Sequence, residues 1–259
     1  QIGDPNTIAE VTGITTVADF RRRDMAAGGE GAPLAPAFHA SVFAHPGLNR
    51  AIINIGGIAN ASLLRGTDLA AGFDTGPGNT LLDHWIQRHQ GQPYDRDGAW
   101  ASSGSVNPPL LGDLLAHPYL SLDGPRSTGK EAFNLAWLDT QLEGHPNLSA
   151  ADVQATLAQF TALGISNALE RCAFGAEEVY VCGGGAHNAD LMERMAKVLP
   201  GKPLLASTES LGFHPDWVEA ATFAWLAQRT IAGLAGNAEA VTGAAGPRIL
   251  GAIYPGSTG

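Results

Sequence analysis

The chain has 259 residues, of which 44% are hydrophobic and 15% charged, a composition typical of a folded globular protein rather than a disordered one. Its formal net charge of −10 argues against nucleic-acid binding, because such surfaces cluster Lys and Arg to neutralise phosphates. Two cysteines, Cys172 and Cys182, have no metal-ligand spacing, and neither a signal peptide nor a long apolar run is evident. These features predict a cytoplasmic protein without a membrane span or structural zinc.

Short apolar runs alternate with segments of helical period, which is typical of an α/β protein. A β-branched run at 14–18 predicts a strand, and residues 35–44 predict a short helix. The apolar run 51–55 predicts a buried strand that stops at two glycines, and residues 61–65 predict a strand that returns beside it as a hairpin.

Later elements follow the same alternation. Pro, Gly and Ser are frequent between residues 91 and 129, which predicts irregular structure there. Ser149 and Asp152 form the capping-box pattern that begins a helix. The other predicted elements, in chain order, are a strand at 70–73, a helix after residue 79, a long helix after Ser149, a strand at 178–182, a helix at 189–199 and a final helix at 217–234.

Three glycine-rich turns follow predicted strands. We name them the first turn (54–60, NIGGIAN), the second turn (74–79, DTGPGN) and the third turn (183–188, GGGAHN). Glycine lets the backbone approach a ligand closely, and N–H groups at such turns and at helix N-termini bind phosphates. A single glycine turn is often only a turn, but three together favour a phosphate site. Neither the Walker pattern nor the dinucleotide fingerprint fits their spacing.

The hairpin at 53–63 and the strand–turn–helix unit at 179–188 resemble the phosphate and adenosine motifs of the actin, hexokinase and heat-shock ATPase superfamily. Within that superfamily the chain resembles the anhydro-N-acetylmuramic acid kinase family over essentially its whole length. Six segments carry this resemblance in order: 19–24 (DFRRRD), 31–34 (GAPL), 54–60 (NIGGIAN), 73–79 (FDTGPGN), 127–131 (STGKE) and 152–157 (DVQATL).

The resemblance implies an α/β fold: an actin-like ATPase (ribonuclease H-like) lobe with a mixed sheet flanked by helices. Residues 1–45 would be the end of the N-terminal lobe with an inter-lobe helix, and residues 46–259 the C-terminal lobe that binds nucleotide and sugar. The family's N-terminal Gly-Thr-Ser-x-Asp-Gly phosphate loop does not occur in this sequence. We therefore expect the chain to hold only part of the ATP site and to be inactive without that segment.

The resemblance also implies an activity. It is that of an ATP- and Mg²⁺-dependent sugar kinase that opens 1,6-anhydro-N-acetylmuramic acid hydrolytically and phosphorylates it to N-acetylmuramic acid 6-phosphate, in the recycling of cell-wall sugars. The expected partners are this small amino sugar and a second copy of the chain in a homodimer, with no nucleic acid and no membrane.

Asp74 is the predicted catalytic base, because it lies where an apolar strand stops at a glycine turn, a common location for functional groups in α/β sheets. An Asp at a strand exit can also simply bond its own backbone. Arg22, Arg23 and Asp24 are predicted to bind the sugar's carboxylate and hydroxyls, since guanidinium groups match carboxylates. Asp24 is the second candidate for the base.

Glu219 is predicted to reach the sugar, with a helix-capping role alongside Asp216 as the alternative. No motif identifies a ligand for Mg²⁺. His187 has no carboxylate partner evident in the sequence, so a structural role is expected. The predicted ATP-binding residues are Asn54, Gly56, Gly57, Asn60, Gly76, Gly78, Asn79, Gly183, Gly184, Gly185 and Asn188.

Three other functions stay open from the sequence. The first is a non-catalytic actin-like module that binds nucleotide, and the second is a different sugar or carboxylic-acid kinase on the same fold. The third is a glycoside hydrolase that uses Asp24 and Asp74 as its paired carboxylates. The hydrolase explains the two carboxylates but not the three phosphate-type turns.

Overall fold

The computed structural model describes residues 3–122, 128–129 and 131–257. Its contacts divide the chain into two compact units: a smaller unit of residues 1–42 and 219–259, and a larger unit of residues 43–218. The predicted lobes, 1–45 and 46–259, stay a prediction. Among the described residues, no helix is both long and apolar enough to cross a membrane. Ser127 and Lys130 of the segment 127–131 lie outside the described residues.

The helices of the described chain are α1 (Pro5–Thr12), α2 (Arg22–Ala26), α3 (Ala35–Phe43), α4 (Thr80–Gln90), α5 (Ala99–Ser103), α6 (Pro108–Leu115), α7 (Leu135–Leu142), α8 (Ala150–Arg171), α9 (Ala189–Val198), α10 (Val218–Ile231) and α11 (Glu239–Thr242). The strands are β1 (Thr16–Ala18), β2 (Asn49–Ile55), β3 (Ile58–Arg65), β4 (Asp68–Pro77), β5 (Glu178–Cys182), β6 (Leu204–Ser207) and β7 (Ala252–Tyr254). Single 3₁₀ turns lie at Arg96–Gly98, Pro118–Ser121, Gly184–His187, Thr208–Leu211 and Pro215–Trp217.

The smaller unit contains the antiparallel pair β1–β7 and the helices near both ends of the chain. Phe20 and Leu34 pack with Leu226 and Leu250 in its apolar cluster. His39 in α3 is fully buried, and burial lowers its pKa to about 3, so this imidazole is uncharged.

The larger unit is built on a mixed sheet of five strands in the order β4-β3-β2-β5-β6. β2 pairs antiparallel with β3, and β3 antiparallel with β4, whereas β5 runs parallel to both β2 and β6. The central strand β2 is apolar through residues 51–53, all fully buried, as expected for a strand covered on both faces. This mixed sheet, flanked by helices, confirms the predicted α/β fold class.

Helix α8 connects the two apolar cores of the larger unit. Its Ile165 packs with sheet residues such as Ile53, while its Phe160 lies in a second core made by helices α4 to α7. Burying each side chain of this size contributes roughly 2–3 kcal/mol. The helix begins as predicted, because Ser149 Oγ accepts a hydrogen bond from the N–H of Asp152 at 3.1 Å.

Two expectations were wrong in detail. The stretch 91–129 was expected to be irregular, yet it contains α5 and α6. Helix α6 forms because Asn107 Oδ1 accepts from the N–H of Leu110 at 2.9 Å and Pro108 occupies the first helical position. The strand expected to stop at residue 73 continues to Pro77, because the beginning of β3 supplies pairing partners as far as Ile58.

Candidate functional site

The first and second turns are joined to each other at one end of the sheet. The N–H of Gly78 donates to the carbonyl oxygen of Gly57 at 2.9 Å, and the N–H of Asn79 donates to that of Gly56 at 2.8 Å. The side-chain amide of Asn79 also donates to the carbonyl oxygen of Ile55 at 3.2 Å. The two turns therefore form one structure, although they follow different strands.

The third turn is pressed against the end of β2. Gly183 has φ 76°, and a Cβ there would lie 2.5 Å from Asn54 Oδ1 and 2.9 Å from the carbonyl oxygen of Ile55. A Cβ at Gly185 would overlap the Ile55 side chain. Glycine is required at both positions because only a bare backbone fits this close approach. All three predicted turns thus meet at the end of β2.

Gly76 and Gly78 are buried, and both shape the second turn. Gly76 has φ 142°, and a Cβ there would lie 2.9 Å from a Leu120 methyl group. The carbonyl of Gly56 and the N–H of Gly57 belong to one peptide group, and a trans peptide places these two groups on opposite sides. Since the carbonyl accepts a hydrogen bond from Asn79, the N–H of Gly57 points away from the second turn. The second turn thus supports the first, and direct ATP contacts of Gly76 and Gly78 stay predictions.

A row of polar side chains crosses the sheet beside these turns. Asp74, Asn60, Asn54 and Cys182 occupy paired positions on β4, β3, β2 and β5. Paired residues of neighbouring strands lie on the same face of a sheet. Their chain neighbours, such as Ile53, point into the apolar core on the opposite face. The structure therefore places the predicted base, Asp74, in one row with two predicted ATP-binding asparagines.

Asp74 is 8% exposed and is held by segments that are distant in the chain. Its Oδ2 accepts a hydrogen bond from the N–H of Thr128 at 2.9 Å. Its main-chain carbonyl accepts from the hydroxyl of Tyr119 at 2.8 Å, and Tyr119 is itself buried against Phe133. The carboxylate is therefore fixed in position rather than mobile at a loop tip.

A cavity of about 450 Å³ adjoins the turns. Asn79, Gly184 and Asn188 belong both to the turns and to its lining, and Asn188 Oδ1 also caps α9 by accepting from the N–H of Leu191 at 2.9 Å. His187 of the third turn also lines the cavity, and the remaining lining residues are Leu82, Asp83, Tyr94, Asp95, Arg96 and Asp97. Sequence reasoning missed the wall at 94–97, because nothing local in that stretch marks it as part of a site.

The four predicted sugar-binding residues lie in the smaller unit. Arg22 Nε pairs with Asp19 at 2.8 Å, and its side chain is largely exposed. Arg23 is exposed and makes no hydrogen bond or ion pair among the described residues. Glu219 is exposed in the first turn of α10. Their roles toward a sugar stay predictions.

Asp24, the fourth, is completely buried. Its Oδ1 accepts from Asn237 Nδ2 at 2.9 Å and from Thr242 Oγ1 at 2.8 Å, and its Oδ2 accepts from the N–H of Gly31 at 2.9 Å. These bonds join three segments of the smaller unit. The geometry gives Asp24 a structural role, whatever its role toward a ligand.

Asp24→Asn is expected to lower the free energy of unfolding by about 2–3 kcal/mol, because an amide group would present a donor where the carboxylate accepts three hydrogen bonds. Urea unfolding measures this change. Asp19→Asn is the matched control; it removes a carboxylate from an exposed ion pair and is expected to cost less than about 1 kcal/mol. Equal stability of the two variants would contradict the structural role of Asp24.

The 3₁₀ turn Pro215–Trp217, which precedes α10, is capped by His214, whose Nδ1 accepts from the N–H of Asp216 at 3.3 Å. The predicted cap of α10 by Asp216 and Glu219 stays a prediction. The Asp216 carboxylate lies 2.7 Å from His187 Nε2, and both side chains are about half exposed. The expectation that His187 lacks a carboxylate partner was therefore wrong, because the partner comes from a distant segment. In the described part of the chain, no group of three or more His, Cys, Asp or Glu could hold a metal ion.

Comparisons with known proteins identify the family. A family model described as anhydro-N-acetylmuramic acid kinase matches residues 1–256. Proteins of that name from Pseudomonas paraeruginosa and Thiobacillus denitrificans are each 56% identical over 98% of this chain, which covers 70% and 68% of their lengths. One from Shewanella pealeana is 54% identical over the same share, with 69% of its length covered. Nothing in these matches supports the expectation that the chain is inactive.

Solved structures give weaker likenesses. An activator of 2-hydroxyisocaproyl-CoA dehydratase from Clostridium difficile, with bound ADPNP, is 16% identical with a TM-score of 0.47, over 72% of this chain and 62% of its own. The ethanolamine utilization protein EutJ from Carboxydothermus hydrogenoformans is 16% identical with a TM-score of 0.38, over 72% of this chain and 50% of its own. Neither likeness bears on function.

Proposed function

The chain belongs to the anhydro-N-acetylmuramic acid kinase family, and we propose that it uses ATP to convert 1,6-anhydro-N-acetylmuramic acid to N-acetylmuramic acid 6-phosphate. Family membership makes it a sugar kinase. The hydrolytic opening of the anhydro bridge, the place of the reaction in cell-wall sugar recycling, the cytoplasmic location and the homodimer are parts of the proposal that rest on the family resemblance.

The observation that carries the proposal is the position of Asp74 in one polar row with Asn54 and Asn60, beside the joined turns. A kinase that also adds water needs a base close to the phosphate site, because both bond changes occur on one substrate. The row supplies a carboxylate next to backbone suited to bind phosphates.

The proposed reaction couples hydrolysis of the anhydro bridge to phosphoryl transfer. A water molecule attacks C1 of the sugar and gives a proton to the Asp74 carboxylate, while the C1–O6 bond breaks. O6 then forms a bond to the γ-phosphorus of ATP, and the bond from that phosphorus to the bridging oxygen breaks, so that ADP leaves. Asp74 suits the base role because its carboxylate is held in place by the N–H of Thr128.

Mg²⁺ accompanies ATP in this proposal and, when bound, neutralises charge on the phosphates. Asn60 Oδ1 is an oxygen that fits such an ion, because it is buried and has no hydrogen-bond partner among the described residues. Mg²⁺ commonly keeps several waters and takes one or two protein oxygens besides the phosphates. The small number of carboxylates beside the turns is therefore compatible with Mg²⁺.

The sugar-binding residues in this proposal are Arg22, Arg23, Asp24 and Glu219. Arg23 is the best placed of the arginines to bind the sugar carboxylate, because it is exposed and makes no ion pair among the described residues. Arg22 would first have to leave Asp19.

The test is to incubate the protein with Mg²⁺, ATP and 1,6-anhydro-N-acetylmuramic acid in heavy-oxygen water. We expect ADP release that depends on the sugar, and a phosphorylated product that carries one heavy oxygen at C1. ATP binding without any sugar-dependent turnover would favour a non-catalytic nucleotide-binding module. Sugar hydrolysis without ATP would favour a glycoside hydrolase.

Tyr119→Phe is expected to lower kcat by about tenfold while the KM for ATP changes by less than about twofold. The substitution removes only the hydroxyl that donates to the Asp74 carbonyl, so the carboxylate loses part of its support. Steady-state kinetics with both substrates measures the effect.

The matched control is Tyr180→Phe, which removes a hydroxyl from another buried tyrosine of the larger unit, on β5. Its expected effect is a small loss of stability with unchanged kcat. If the two variants lower kcat equally, Tyr119 does not act through Asp74.

A further inference from the structure

The cavity beside the turns has the size and position of a nucleoside site. Its volume of about 450 Å³ is within the usual range for small-ligand pockets. Asn79 and Gly184 place one side of the cavity at the turns proposed to bind phosphates. In a nucleotide the ribose follows directly after the phosphates. With the phosphates at the turns, the ribose would therefore lie in the part of the cavity next to them. A further wall of the cavity is the short segment 94–97.

This wall is held in place by the buried carboxylate of Asp95. Asp95 is 7% exposed, and its two oxygens accept from the N–H groups of Trp100 and Ala101, each at 2.9 Å. Gln154, which is fully buried in α8, donates its side-chain amide to Asp95 Oδ2 at 3.3 Å. The wall is therefore tied to α5 and to α8.

The same helix α8 holds the chain that follows the wall. Asp152 Oδ1 accepts from the N–H of Ser105 at 2.7 Å, and Thr156 Oγ1 accepts from the N–H of Asn107 at 2.9 Å. The segment 152–157, which no proposed catalytic step uses, thus fixes both the wall and its continuation.

Asp97 is held in the wall in an uncommon backbone conformation. Its φ of 57° and ψ of 11° are left-handed, a region that few residues other than glycine adopt. The next residue, Gly98, has φ 67° and lies so close to α9 that a Cβ would overlap Asn188 Oδ1 and Asp190 Cβ. A non-glycine residue keeps such a conformation only where its surroundings enforce it, and such positions concentrate at ligand sites.

Asp97 lines the cavity, and the residue is exposed. Its carboxylate makes no hydrogen bond or ion pair with any described residue, in contrast to the fully bonded carboxylate of Asp95. An ionised carboxylate is purely an acceptor, so its complement is a donor such as a hydroxyl group. A phosphate at this position would be repelled by the negative charge of Asp97.

We propose that Asp97 is a specificity-determining residue that recognises the ribose of the nucleotide by accepting a hydrogen bond from its 2′-hydroxyl. Ribose hydroxyls bonded to an acidic side chain are a recurring solution in nucleotide sites of other α/β folds. Asp95 and Gln154 act as positioning residues that keep this wall in place. The inference rests on the proposed ATP-binding function and adds the means by which the site distinguishes ribose from deoxyribose.

The experiment compares the affinities of the protein for ATP and for 2′-deoxy-ATP by calorimetry. A hydrogen bond to a charged group corresponds to about a tenfold to hundredfold preference, so wild type is expected to bind ATP more tightly by at least about tenfold. Asp97→Asn should reduce this preference to within about threefold, mainly by weakening ATP binding. Asparagine tolerates the left-handed conformation, so the backbone is retained.

Two further variants make the test specific. Asp97→Gly keeps the backbone conformation and removes the carboxylate, so it should lose the preference as well. Asp83→Asn removes one negative charge from the same cavity and should keep the preference. The proposal fails if wild type binds both nucleotides equally, or if Asp97→Asn weakens both equally. If wild type binds neither nucleotide, the proposed ATP function itself fails.

Discussion

Asp74→Asn is expected to lower kcat by about 10³-fold or more while the affinity for ATP stays within about threefold of wild type. The substitution keeps the size and shape of the side chain. Its amide oxygen can still accept the hydrogen bond that the N–H of Thr128 now donates to Asp74 Oδ2. The amide nitrogen that then replaces the other oxygen cannot accept a proton from water, so the attack on C1 loses its base.

Sugar-dependent ADP release measures kcat for this variant, and calorimetry with ATP alone measures the affinity. Asp68→Asn is the matched control, because Asp68 is an exposed carboxylate at the beginning of the same strand, β4. The control should turn over like wild type, which separates the loss of a base from the loss of a negative charge. A kcat for Asp74→Asn close to that of wild type would remove Asp74 from the base role, and Asp24 is too buried to replace it without rearrangement.

Gly78→Ala is expected to weaken ATP binding by at least about 100-fold, because the added methyl group would overlap the carbonyl oxygen of Gly56. It would also lie 3.3 Å from the main-chain nitrogen of Ala59. Both obstacles are backbone atoms, which cannot rotate away as a flexible side chain can. The first turn must therefore move, and the bonds that join it to Asn79 must lengthen or break.

This variant is also expected to lose about 1–3 kcal/mol of stability, the usual cost of inserting a methyl group into a packed region. Calorimetry with ATP, together with urea unfolding, separates the two effects. If the variant remains folded and binds ATP as wild type does, the joined turns are not the phosphate site.

Gly112→Ala is the matched control for this second experiment. Gly112 is exposed within α6, and a Cβ there would meet no atom within 4 Å. Alanine is favoured over glycine in a helix by up to about 1 kcal/mol, so the control should be as stable as wild type or more stable. Its affinity for ATP should be unchanged.

Elements whose signals are local could be predicted from the sequence. The N-terminus of α8 depends on Ser149 and Asp152, which lie three positions apart, and β2 depends on one apolar run. A short stretch of sequence is therefore enough to predict either element. Helix α6 was missed although Asn107 caps it, because the surrounding Pro, Gly and Ser favour turns and its burial of Leu110 depends on packing in a distant core. Composition alone could not show that packing.

For the candidate site, the residue types and the family resemblance could be read from the sequence: glycines at three strand ends, a carboxylate at Asp74, and the family that these segments resemble. This is possible because glycine and carboxylate chemistry is visible one residue at a time. The row that Asp74 shares with Asn60 and Asn54 could not be predicted in this way, because strand register sets which side chains meet and register arises only when the strands pair. The support from Tyr119 and the wall carrying Asp97 were likewise decided by folding, since these contacts join segments far apart in the chain.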